Sequence, residues 1–474
     1  MTDPRLVRLR EPLAPLAGHE APAWLVGGGV RDALMDRPVA DVDLAVQGDA
    51  APAAARLARA YRADRFRLSR DFGAWRVSGG GLPFQVDITP LQGSGLAEDL
   101  SKRDFTVNAL ALPLDPGAVL VDPHGGLGDL RAGRLRQVAE GALAADPVRL
   151  LRLARFAEQL GFTVDDPTAA RARATAGALW DAPGERLMDE LGRIVSLPRA
   201  DRAVRMLDAL GVLGVLIPEL EDCRGLDQSD YHHLDVLDHT LEVVEHTVAL
   251  AADPEPVFRS RAGRVAEVLA RPLADDLTAR EGLILAAILH DMAKPATRDE
   301  LPGGRITFVR HDTLGADMAE ALLRRLRTSN RLREMVLLLV RMHLPLGFLV
   351  HRTPLSLRQI DRYLRRTSPY EPEVIVLTVA DRLATRGPRT SESAIRRHLV
   401  LAREVMDAHF RIVDRGPIRP LLAGDALASE LGRPPGPWLA VAIDQLREEQ
   451  LVGTVTTREA AIRFVHEWGA RNPA

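Results

Sequence analysis

Residues 24–46, WLVGGGVRDALMDRPVADVDLAV, decide the fold of the first part of this chain. Three apolar residues predict a short buried strand, and a run of glycines then opens a helix that carries Arg31 and Asp32. Apolar residues at 42, 44 and 46 alternate with Asp41 and Asp43, which predicts a second strand with both carboxylates on one face. The order of strand, glycine turn, helix and strand predicts a small α/β domain.

The residue types in this stretch suit the binding of phosphate and of a cation. Gly27, Gly28 and Gly29 lack a Cβ atom, so the backbone can turn sharply and bring its N–H groups close to a phosphate. Asp41 and Asp43 can share one hard divalent cation because their side chains leave the same face of the strand. A glycine run alone is typical of an ordinary turn, and Asp-x-Asp is common at solvated strand ends. Their occurrence in this order favours a site for nucleotide transfer.

The composition is typical of a soluble globular protein with several domains. The chain has 474 residues, of which 46% are hydrophobic and 27% charged, and its net charge is −3. The N-terminus has no apolar signal core and no apolar run is long enough to span a bilayer, so we expect a cytoplasmic protein without a membrane partner. Cys223 is the single cysteine, which excludes an intramolecular disulfide and a cysteine zinc cluster.

The opening stretch resembles the nucleotide-binding signature of the polymerase-beta-type nucleotidyltransferases, specifically the bacterial tRNA nucleotidyltransferase and poly(A) polymerase family. The resemblance implies that Asp41 and Asp43 hold Mg²⁺ and that the glycine turn, with Arg31 and Asp32, holds a triphosphate. Short strands predicted near 66–68, 74–77 and 84–88 would complete a mixed sheet. Asp87 lies in the middle of the last of these strands, as a third catalytic carboxylate or as a strand-edge residue.

A second motif follows in EDLSKRDFTVNAL, residues 98–110. Its apolar positions predict the start of a helix, which leaves Arg103, Asp104 and Asn108 as polar groups beside buried residues. Taken alone, this pattern is also typical of a capped amphipathic helix with surface charges. It resembles the family motif Arg-Asp-Phe-x-x-Asn-Ala, which implies that Arg103 binds triphosphate oxygens and that Asp104 and Asn108 hold ribose hydroxyls.

The segment from Asp146 onward is predicted to be helical, with Asp146, Arg149 and Arg152 three residues apart on one face. Such a set is often a surface salt bridge that contributes little. The segment resembles the family's Glu-Asp-x-x-Arg motif, which implies that Asp146 and Arg149 select the base by Watson–Crick-like hydrogen bonds. Arg152 and Arg155 continue this nucleotide-binding helix, and Ala145 replaces the motif's glutamate. Residues 185–191 resemble the helix that supports it.

Histidines and aspartates form a second group of candidate ligands between 232 and 381. Burial of a His-Asp pair in an apolar helix is costly unless a partner satisfies both groups, and imidazole with carboxylate suits divalent metals. This pattern resembles the HD phosphohydrolase superfamily. The resemblance implies that the divalent-metal ligands are His239, His290, Asp291 and Asp381, that His311 and His343 hold a second metal or phosphate, and that Lys294 binds phosphate.

We therefore predict an α+β multidomain protein. It has a polymerase-beta-like head with a mixed sheet (1–138), an all-helical neck (139–226), an HD domain (227–390) and a helical tail (391–474). Arg396, Arg397 and Arg403 either neutralise phosphates of a tRNA or form a solvated helix face.

The resemblance implies a tRNA nucleotidyltransferase that transfers CMP from CTP to the tRNA 3′-hydroxyl and releases pyrophosphate. Only Pro90 to Ala97 separates the predicted strand that carries Asp87 from the second motif, residues 98–110. The loop that full CCA-adding members carry at this place is therefore absent. Family members with such a deletion add only CC, which makes CC addition the expectation. Full CCA addition with ATP and a poly(A) polymerase remain alternatives, as does an HD phosphohydrolase whose head binds RNA. The sequence does not determine the metal or substrate of the HD domain, or the oligomeric state.

Overall fold

The computed structural model describes residues 3–18, 21–69, 73–416 and 418–472. The chain divides into two compact units, Met1–Leu216 and Ile217–Ala474. The first contains the sheet and the helices that follow it, and the second is built mainly of helices. The predicted division into head, neck, HD domain and tail is finer than these two units and stays a prediction.

A six-stranded mixed sheet forms the centre of the first unit, in the order β3-β4-β5-β2-β1-β6. Strands β2 and β5 are parallel, and the other neighbouring pairs are antiparallel. The predicted mixed sheet is therefore confirmed. The strands of this unit are β1 (Ala23–Val26), β2 (Asp41–Val46), β3 (Asp64–Arg67), β4 (Trp75–Ser78), β5 (Gln85–Pro90), β6 (Ala111–Pro113), and the short pair β7 (Arg134–Leu135) and β8 (Thr163–Val164).

Alternation along β2 separates the core from the site. Val42 and Leu44 are buried at 1% and 0% exposure, whereas Asp41 and Asp43 lie on the open face. Leu44 belongs to a hydrophobic cluster with Leu25 of β1 and residues of the other strands. The sheet therefore holds both carboxylates on one face, as the two-residue spacing predicts.

Helices of the first unit surround the sheet and extend beyond it. They are α1 (Pro4–Arg10), α2 (Gly28–Leu34), α3 (Ala51–Tyr61), α4 (Leu96–Ser101), α5 (Gly126–Ala132), α6 (Ala142–Ala145), α7 (Arg149–Leu160), α8 (Asp166–Thr175), α9 (Gly184–Val195), α10 (Ala200–Ala209) and α11 (Leu213–Leu216), with 3₁₀ turns at Glu11–Leu16, Thr106–Asn108 and Ala176–Asp181. Helix α7 packs against α9 and α10.

Two local predictions in this unit were wrong in detail. The prediction that Asp146 shares a helix face with Arg149 fails because α7 begins at Arg149, and Asp146 precedes it with extended backbone angles. Residues 98–110 do not form one helix entry either. Helix α4 ends at Ser101, and Arg103 and Asp104 lie in the connection to the 3₁₀ turn.

The second unit is a helical bundle with two small antiparallel hairpins. Helices α13, α16, α19 and α22 pack together at its centre. The helices are α12 (Pro218–Glu221), α13 (Val236–Ala252), α14 (Glu255–Phe258), α15 (Ala262–Leu269), α16 (Ala279–Leu289), α17 (Lys294–Thr297), α18 (His311–Arg325), α19 (Asn330–Met342), α20 (Pro345–Leu349), α21 (Leu357–Thr367), α22 (Glu371–Ala384), α23 (Glu392–Arg415), α24 (Gly424–Leu431), α25 (Pro437–Leu451) and α26 (Arg458–Arg471), and the strands are β9 (Pro272–Ala274), β10 (Leu277–Thr278), β11 (Arg298–Leu301) and β12 (Arg305–Phe308). Helices α24 to α26 have a separate hydrophobic cluster around Leu427, Leu446 and Trp468.

One stretch corrects the expectation that no apolar run could span a bilayer. Asn330–Arg352 passes the test of length and composition for a membrane span. It comprises α19, α20 and a 3₁₀ turn, and residues such as Met335, Val336 and Leu339 are buried among the helices of the unit. The core helices of globular proteins have the same composition, so this stretch is weak evidence for a membrane span.

Candidate functional site

The glycine turn lies directly against one of the two carboxylates. Gly27 has a φ of +76°, and a Cβ atom at this position would lie 2.9 Å from Nη1 of Arg103 and 3.2 Å from Oδ2 of Asp43. Helix α2 begins at Gly28, so the N–H groups of its first turn point away from the helix with no intrahelical acceptor. Backbone donors, an arginine and a carboxylate thus meet at one place, which only glycine allows.

Asp41 and Asp43 form the acidic part of this site. Among the described residues, neither carboxylate has an ion-pair partner within 4 Å. The surrounding protein raises the pKa of Asp43 through desolvation, and the charges of Asp87 and Asp41 add to this rise, which Arg103 partly offsets. Oxygen ligands whose negative charges destabilise one another fit a hard divalent cation.

Asp87 lies beside Asp43 in the register of β2 and β5, but Arg76 holds it. The Arg76 guanidinium donates to both carboxylate oxygens, at 2.7 and 2.8 Å. The Asp87 side chain is not part of the cavity lining. Its role as a third metal-site carboxylate stays a prediction.

A chain of hydrogen bonds connects the predicted nucleotide-binding residues. Arg31 is buried and donates to Oδ1 of Asn108 at 2.6 Å, and Asn108 donates to Oδ1 of Asp104 at 2.9 Å. The other oxygen of Asp104 lies 2.9 Å from Nη2 of Arg152. Arg31 also pairs with Asp32. These bonds hold the polar side chains in one arrangement before any ligand binds.

Phe156 organises the arginines of this network. The guanidinium carbons of Arg31, Arg152 and Arg155 lie 4.9, 5.5 and 4.2 Å from the centroid of its ring. Phe105 contacts the same ring edge-to-face at 5.9 Å. Cation–π attraction offsets part of the repulsion among three neighbouring positive charges.

The predicted base-selecting residues are held by other protein groups. Arg149 donates to the backbone oxygens of Lys102, Arg103 and Ala142 at 2.6, 3.0 and 3.0 Å. Asp146 accepts a 2.7 Å hydrogen bond from Arg186 of α9.

Arg155 pairs with the buried carboxylate of Glu190, also on α9, and donates to Gln159 at 2.7 Å. Helix α9 therefore supports α7 through the ion pair of Glu190 with Arg155, and it supports the segment before α7 through the ion pair of Arg186 with Asp146.

The site residues predicted from the sequence for the first unit, except Asp87, line one cavity of about 590 Å³. The predicted residues that it brings together are Gly27, Gly28, Gly29, Arg31, Asp32, Asp41, Asp43, Arg103, Asp104, Asn108, Asp146, Arg149, Arg152 and Arg155. Further lining residues that the sequence reasoning missed are Gln92, Asp99, Lys102, Phe156, Gln159 and Arg193. Phe156 and Gln159 follow Arg149 by seven and ten residues, a helical spacing that could have indicated them.

The second unit gathers the predicted His and Asp ligands at helix ends. His290 caps α16, His311 begins α18 and His343 caps α19, while Asp381 lies on α22. Two groups have ligand atoms close enough to share an ion: His239, His290 and Asp381, and Asp291, His311 and His343. His239 Nε2 lies 3.1 Å from Asp381 Oδ1.

Asp291 joins the two groups. One of its oxygens lies 3.1 Å from His290 Nε2 and 2.7 Å from Lys294 Nζ, and the other lies 3.3 Å from His311 Nε2. Burial alone would raise the pKa of Asp291, but the charges of His290 and Lys294 hold it well below its usual range.

This cluster fits a divalent cation. Burial, with His290 and His311, lowers the pKa of His343 to about 4, so its imidazole is neutral at pH 7. In the described part of the chain, the buried atoms Nε2 of His290 and Oδ1 of Asp291 have no hydrogen-bond partner. Neutral imidazole and ionised carboxylate are the forms that bind metal. Lys294 forms an ion pair with Asp291 and donates a 2.6 Å hydrogen bond to Gln228.

Comparisons with known proteins identify families that match each unit. Residues 23–136 match the family described as "Poly A polymerase head domain", 161–224 match "Probable RNA and SrmB- binding site of polymerase A", and 236–386 match "HD domain". An A-adding tRNA nucleotidyltransferase of Deinococcus radiodurans is 35% identical over 99% of this chain and 100% of its own length. A CC-adding enzyme of Thermus thermophilus is 35% identical over 94% of this chain and 93% of its own.

The chain belongs to the CCA- and CC-adding tRNA nucleotidyltransferase family. The family and fold class predicted from the sequence are thereby confirmed.

Solved structures share the fold of this tRNA nucleotidyltransferase. A CCA-adding enzyme with ATP has a TM-score of 0.69 at 18% identity, covering 98% of this chain and 96% of its own. The Thermotoga maritima CCA-adding enzyme with tRNA has a TM-score of 0.63 at 19% identity, with the same coverages.

Proposed function

We propose that this tRNA nucleotidyltransferase transfers CMP from CTP to the 3′-hydroxyl of a tRNA and stops after two cytidines. Support comes first from the cavity of the first unit. It holds a glycine turn, two unpaired carboxylates and the Asp146 and Arg149 pair within about 590 Å³, a size that suits one nucleotide. We also propose that the protein acts in the cytoplasm, where tRNA is processed.

Different residues of the cavity bind the cation, the triphosphate and the ribose. Asp41 and Asp43 would hold Mg²⁺, which supplies charge neutralisation at the α-phosphate when bound. The N–H groups of the glycine turn and the Arg103 guanidinium bind the triphosphate. Asp104 and Asn108, fixed through Arg31 and Arg152, hold the ribose. Asp87, oriented by Arg76, is proposed as the third carboxylate.

Base selection depends on Asp146 and Arg149. A guanidinium and a carboxylate together offer the donors and acceptors that read the edge of cytosine. To bind the base, Arg149 must release the backbone carbonyl groups to which it donates. Asp146 must likewise release the guanidinium group of Arg186. The Arg149 partners at Lys102 and Arg103 lie just after α4, so the position of α4 controls the orientation of this side chain.

The short connection before α4 supports the restriction to cytidine. Residues 91–95 join β5 to α4. Two carboxylates of α4 accept hydrogen bonds from the backbone of this connection. Gln92 N–H donates to Asp99 at 3.0 Å, and Ser94 N–H donates to Glu98 at 2.8 Å. A connection held in this way keeps α4 and Arg149 in one arrangement, which disfavours a switch to the larger base of ATP.

The test uses three tRNA substrates, which lack CCA, end in C, or end in CC, each with CTP alone, ATP alone and both. We expect two cytidines on the first, one on the second and no efficient addition to the third, read at single-nucleotide resolution. Addition of A to the tRNA ending in CC would overturn the proposal.

One observation favours a second candidate. The Deinococcus radiodurans relative, which matches along its entire length, is an A-adding enzyme. If this protein shares that activity, only the tRNA ending in CC is extended, and only with ATP. Extension of an unrelated RNA with ATP would instead indicate a poly(A) polymerase.

For the second unit we propose a divalent metal held by His239, His290, Asp291 and Asp381, with His311 and His343 completing a second position. Its support is the pair of ligand groups that Asp291 joins. Release of phosphate from a nucleotide, lost in His290→Ala and retained in Asp41→Ala, would indicate an HD phosphohydrolase activity.

A further inference from the structure

A second cavity, of about 820 Å³, lies in the helical unit beside the His and Asp cluster. Asp291, His311, His343 and Asp381 form one part of its lining. Another part comes from the end of α22, the connection after it and helix α23, which extends beyond the residues matched to the HD domain. The side chains of that second part have no role in the proposed metal site or in the proposed nucleotide transfer.

This part of the lining carries three arginines, and two of its side chains each contain a buried nitrogen without a partner among the described residues. His398 is 3% exposed, and its Nε2 atom has no hydrogen-bond partner among the described residues. The same holds for the buried Nε atom of Arg382. Buried polar atoms in native proteins are nearly always satisfied, so a ligand in the cavity is the natural partner for them.

Three arginines line the cavity together with His398. Arg382 is close enough to His398 and Arg397 for their charges to affect one another. Arg389 lies over the ring of Tyr231 at 5.5 Å, and its nearest carboxylate, on Asp230, is 3.9 Å away. We call Arg382, Arg389 and Arg397 the cationic wall. Burial and the charge of Arg382 lower the pKa of His398 to about 4, so His398 lies beside this wall as a neutral imidazole.

The charges on this side of the lining favour an anion. The acidic residues of the lining are Asp291, Asp312 and Asp381, and two of these are metal ligands. Asp381 offsets part of the charge of Arg382, and Asp230 lies 3.9 Å from Arg389, so the three guanidinium groups of the cationic wall are only partly neutralised by nearby acids. Arginine pairs with phosphate through two parallel hydrogen bonds, which makes phosphate the best-matched anion.

The cavity also offers apolar surface. Phe308, Val309 and Phe348 line it, and Phe348 is 66% exposed. An aromatic surface in the same cavity as these charged groups suits a base or nucleoside.

We propose that this cavity binds a nucleotide that carries two separate phosphate groups. One phosphate lies at the His and Asp cluster, and the cationic wall holds the other. The ligand is a nucleoside bisphosphate or the phosphorylated end of a short RNA, which share this chemistry. The site is independent of the nucleotide cavity in the first unit.

The experiment measures binding to the full-length protein by calorimetry, once with Mn²⁺ and once in EDTA, because without a cation the ionised carboxylates of the cluster weaken the binding of a phosphate there. The probes are adenosine 3′,5′-bisphosphate, the 5′-phosphorylated dinucleotide pApA and AMP. The test variant is Arg389→Gln with Arg397→Gln, and the matched control is Arg386→Gln with Arg396→Gln. The control removes the same charge from the same connection and helix, at positions outside the lining.

We expect the test variant to bind the better of the two bisphosphorylated probes about ten-fold more weakly, with AMP affected less than about three-fold. The control variant should bind all probes as the native protein does. The preferred probe distinguishes a bisphosphate from an RNA end. Equal binding by test and control variants would overturn the proposal, as would an equal loss for AMP.

His398→Gln provides a second test, because the loss of a buried side chain can change folding. Its melting temperature is measured first, and the binding comparison uses a temperature at which the variant is folded. Retained bisphosphate affinity in the folded variant would remove His398 from the proposed site. The nucleotide cavity of the first unit is unchanged in every variant, so a failure here leaves the proposed tRNA activity untouched.

Discussion

At the scale of single residues, Asp41 and Asp43 carry the most direct prediction. Asp41→Asn and Asp43→Asn each keep the size of the side chain and remove the charge that would bind the cation. We expect CMP incorporation into tRNA to fall about a thousand-fold, because charge stabilisation at the reacting phosphate is lost. Incorporation is measured in single-turnover assays, and tRNA binding is measured in parallel.

Asp64→Asn is the matched control, since Asp64 is an exposed strand carboxylate on β3 outside the cavity. It should leave incorporation unchanged. Full activity in either cavity variant would contradict the assignment of the carboxylates.

Phe156 is predicted to position arginines rather than to touch the nucleotide. Phe156→Leu keeps an apolar side chain but removes the ring that three guanidinium groups share. Without the ring, mutual repulsion should move the three guanidinium groups apart, so that they bind the nucleotide less well. We therefore expect the KM for CTP to rise about ten-fold, with a smaller change in kcat. Steady-state kinetics over a range of CTP concentrations give both values.

Phe162→Leu removes a buried phenyl ring from the same unit, outside the cavity lining. It should leave the KM for CTP unchanged. If both variants lose kcat and melting temperature alike, Phe156 has only a packing role.

Glu373 makes the second unit sensitive to pH. Its side chain is fully buried, and burial raises its pKa to about 7, although Arg271 at 3.2 Å opposes this rise. The folded protein therefore binds this proton more tightly than the unfolded chain does. Stability from Glu373 is present below its unfolded pKa and is lost as pH rises through about 7.

Glu373→Gln mimics the protonated form, so we expect it to be about 2 kcal/mol more stable than the native protein at pH 8 and similar at pH 5. Urea unfolding at both pH values measures this difference. Glu267→Gln, which changes an exposed glutamate of α15 in the same unit, serves as the comparison and should alter the free energy of unfolding equally little at both pH values. An equal difference at pH 5 and pH 8 would rule out titration of Glu373 as the cause.

At the scale of elements, local patterns predicted much of the first unit. The glycine turn and the alternation around Asp41 and Asp43 are short-range signals, and the strand, turn and carboxylate positions followed from them. Partners from distant segments leave no such signal. Nothing near Asp87 indicates Arg76, and nothing near Arg149 indicates the carbonyl groups of residues 102 and 103.

The connection between β5 and α4 is the element to test for nucleotide choice. Inserting six Gly and Ser residues between Gly93 and Ser94 separates Gln92 from Asp99, so we expect the hydrogen bond between them to be lost and α4 to be freed from the end of β5. The carbonyl partners of Arg149 should then become mobile. We expect the ratio of kcat/KM for CTP over that for ATP to fall about ten-fold, measured on tRNA lacking CCA.

The control insertion places the same six residues between Asp115 and Pro116, in the turn after β6 and outside the cavity lining. It should preserve the ratio. An unchanged ratio in the first insertion would show that the connection does not govern base selection.

At the scale of the whole molecule, the chain holds two sites in two compact units, each with its own chemistry. The first offers oxygen ligands to a cation beside a nucleotide. The second offers imidazole and carboxylate in a buried cluster. Because the ligand atoms of each site come from a single unit, occupancy of one site should stabilise mainly the unit that contains it.

Calorimetry with and without a divalent metal tests this separation. We expect two unfolding transitions, and addition of Mn²⁺ at about a hundred times its Kd should raise the transition of the helical unit by about 5 °C. His239→Ala should abolish this rise by removing a ligand from the first metal group. His246→Ala, on the same helix but outside the metal groups, should retain it. A rise of equal size in His239→Ala would contradict metal binding at the cluster, because the ion would then stabilise the protein from another place.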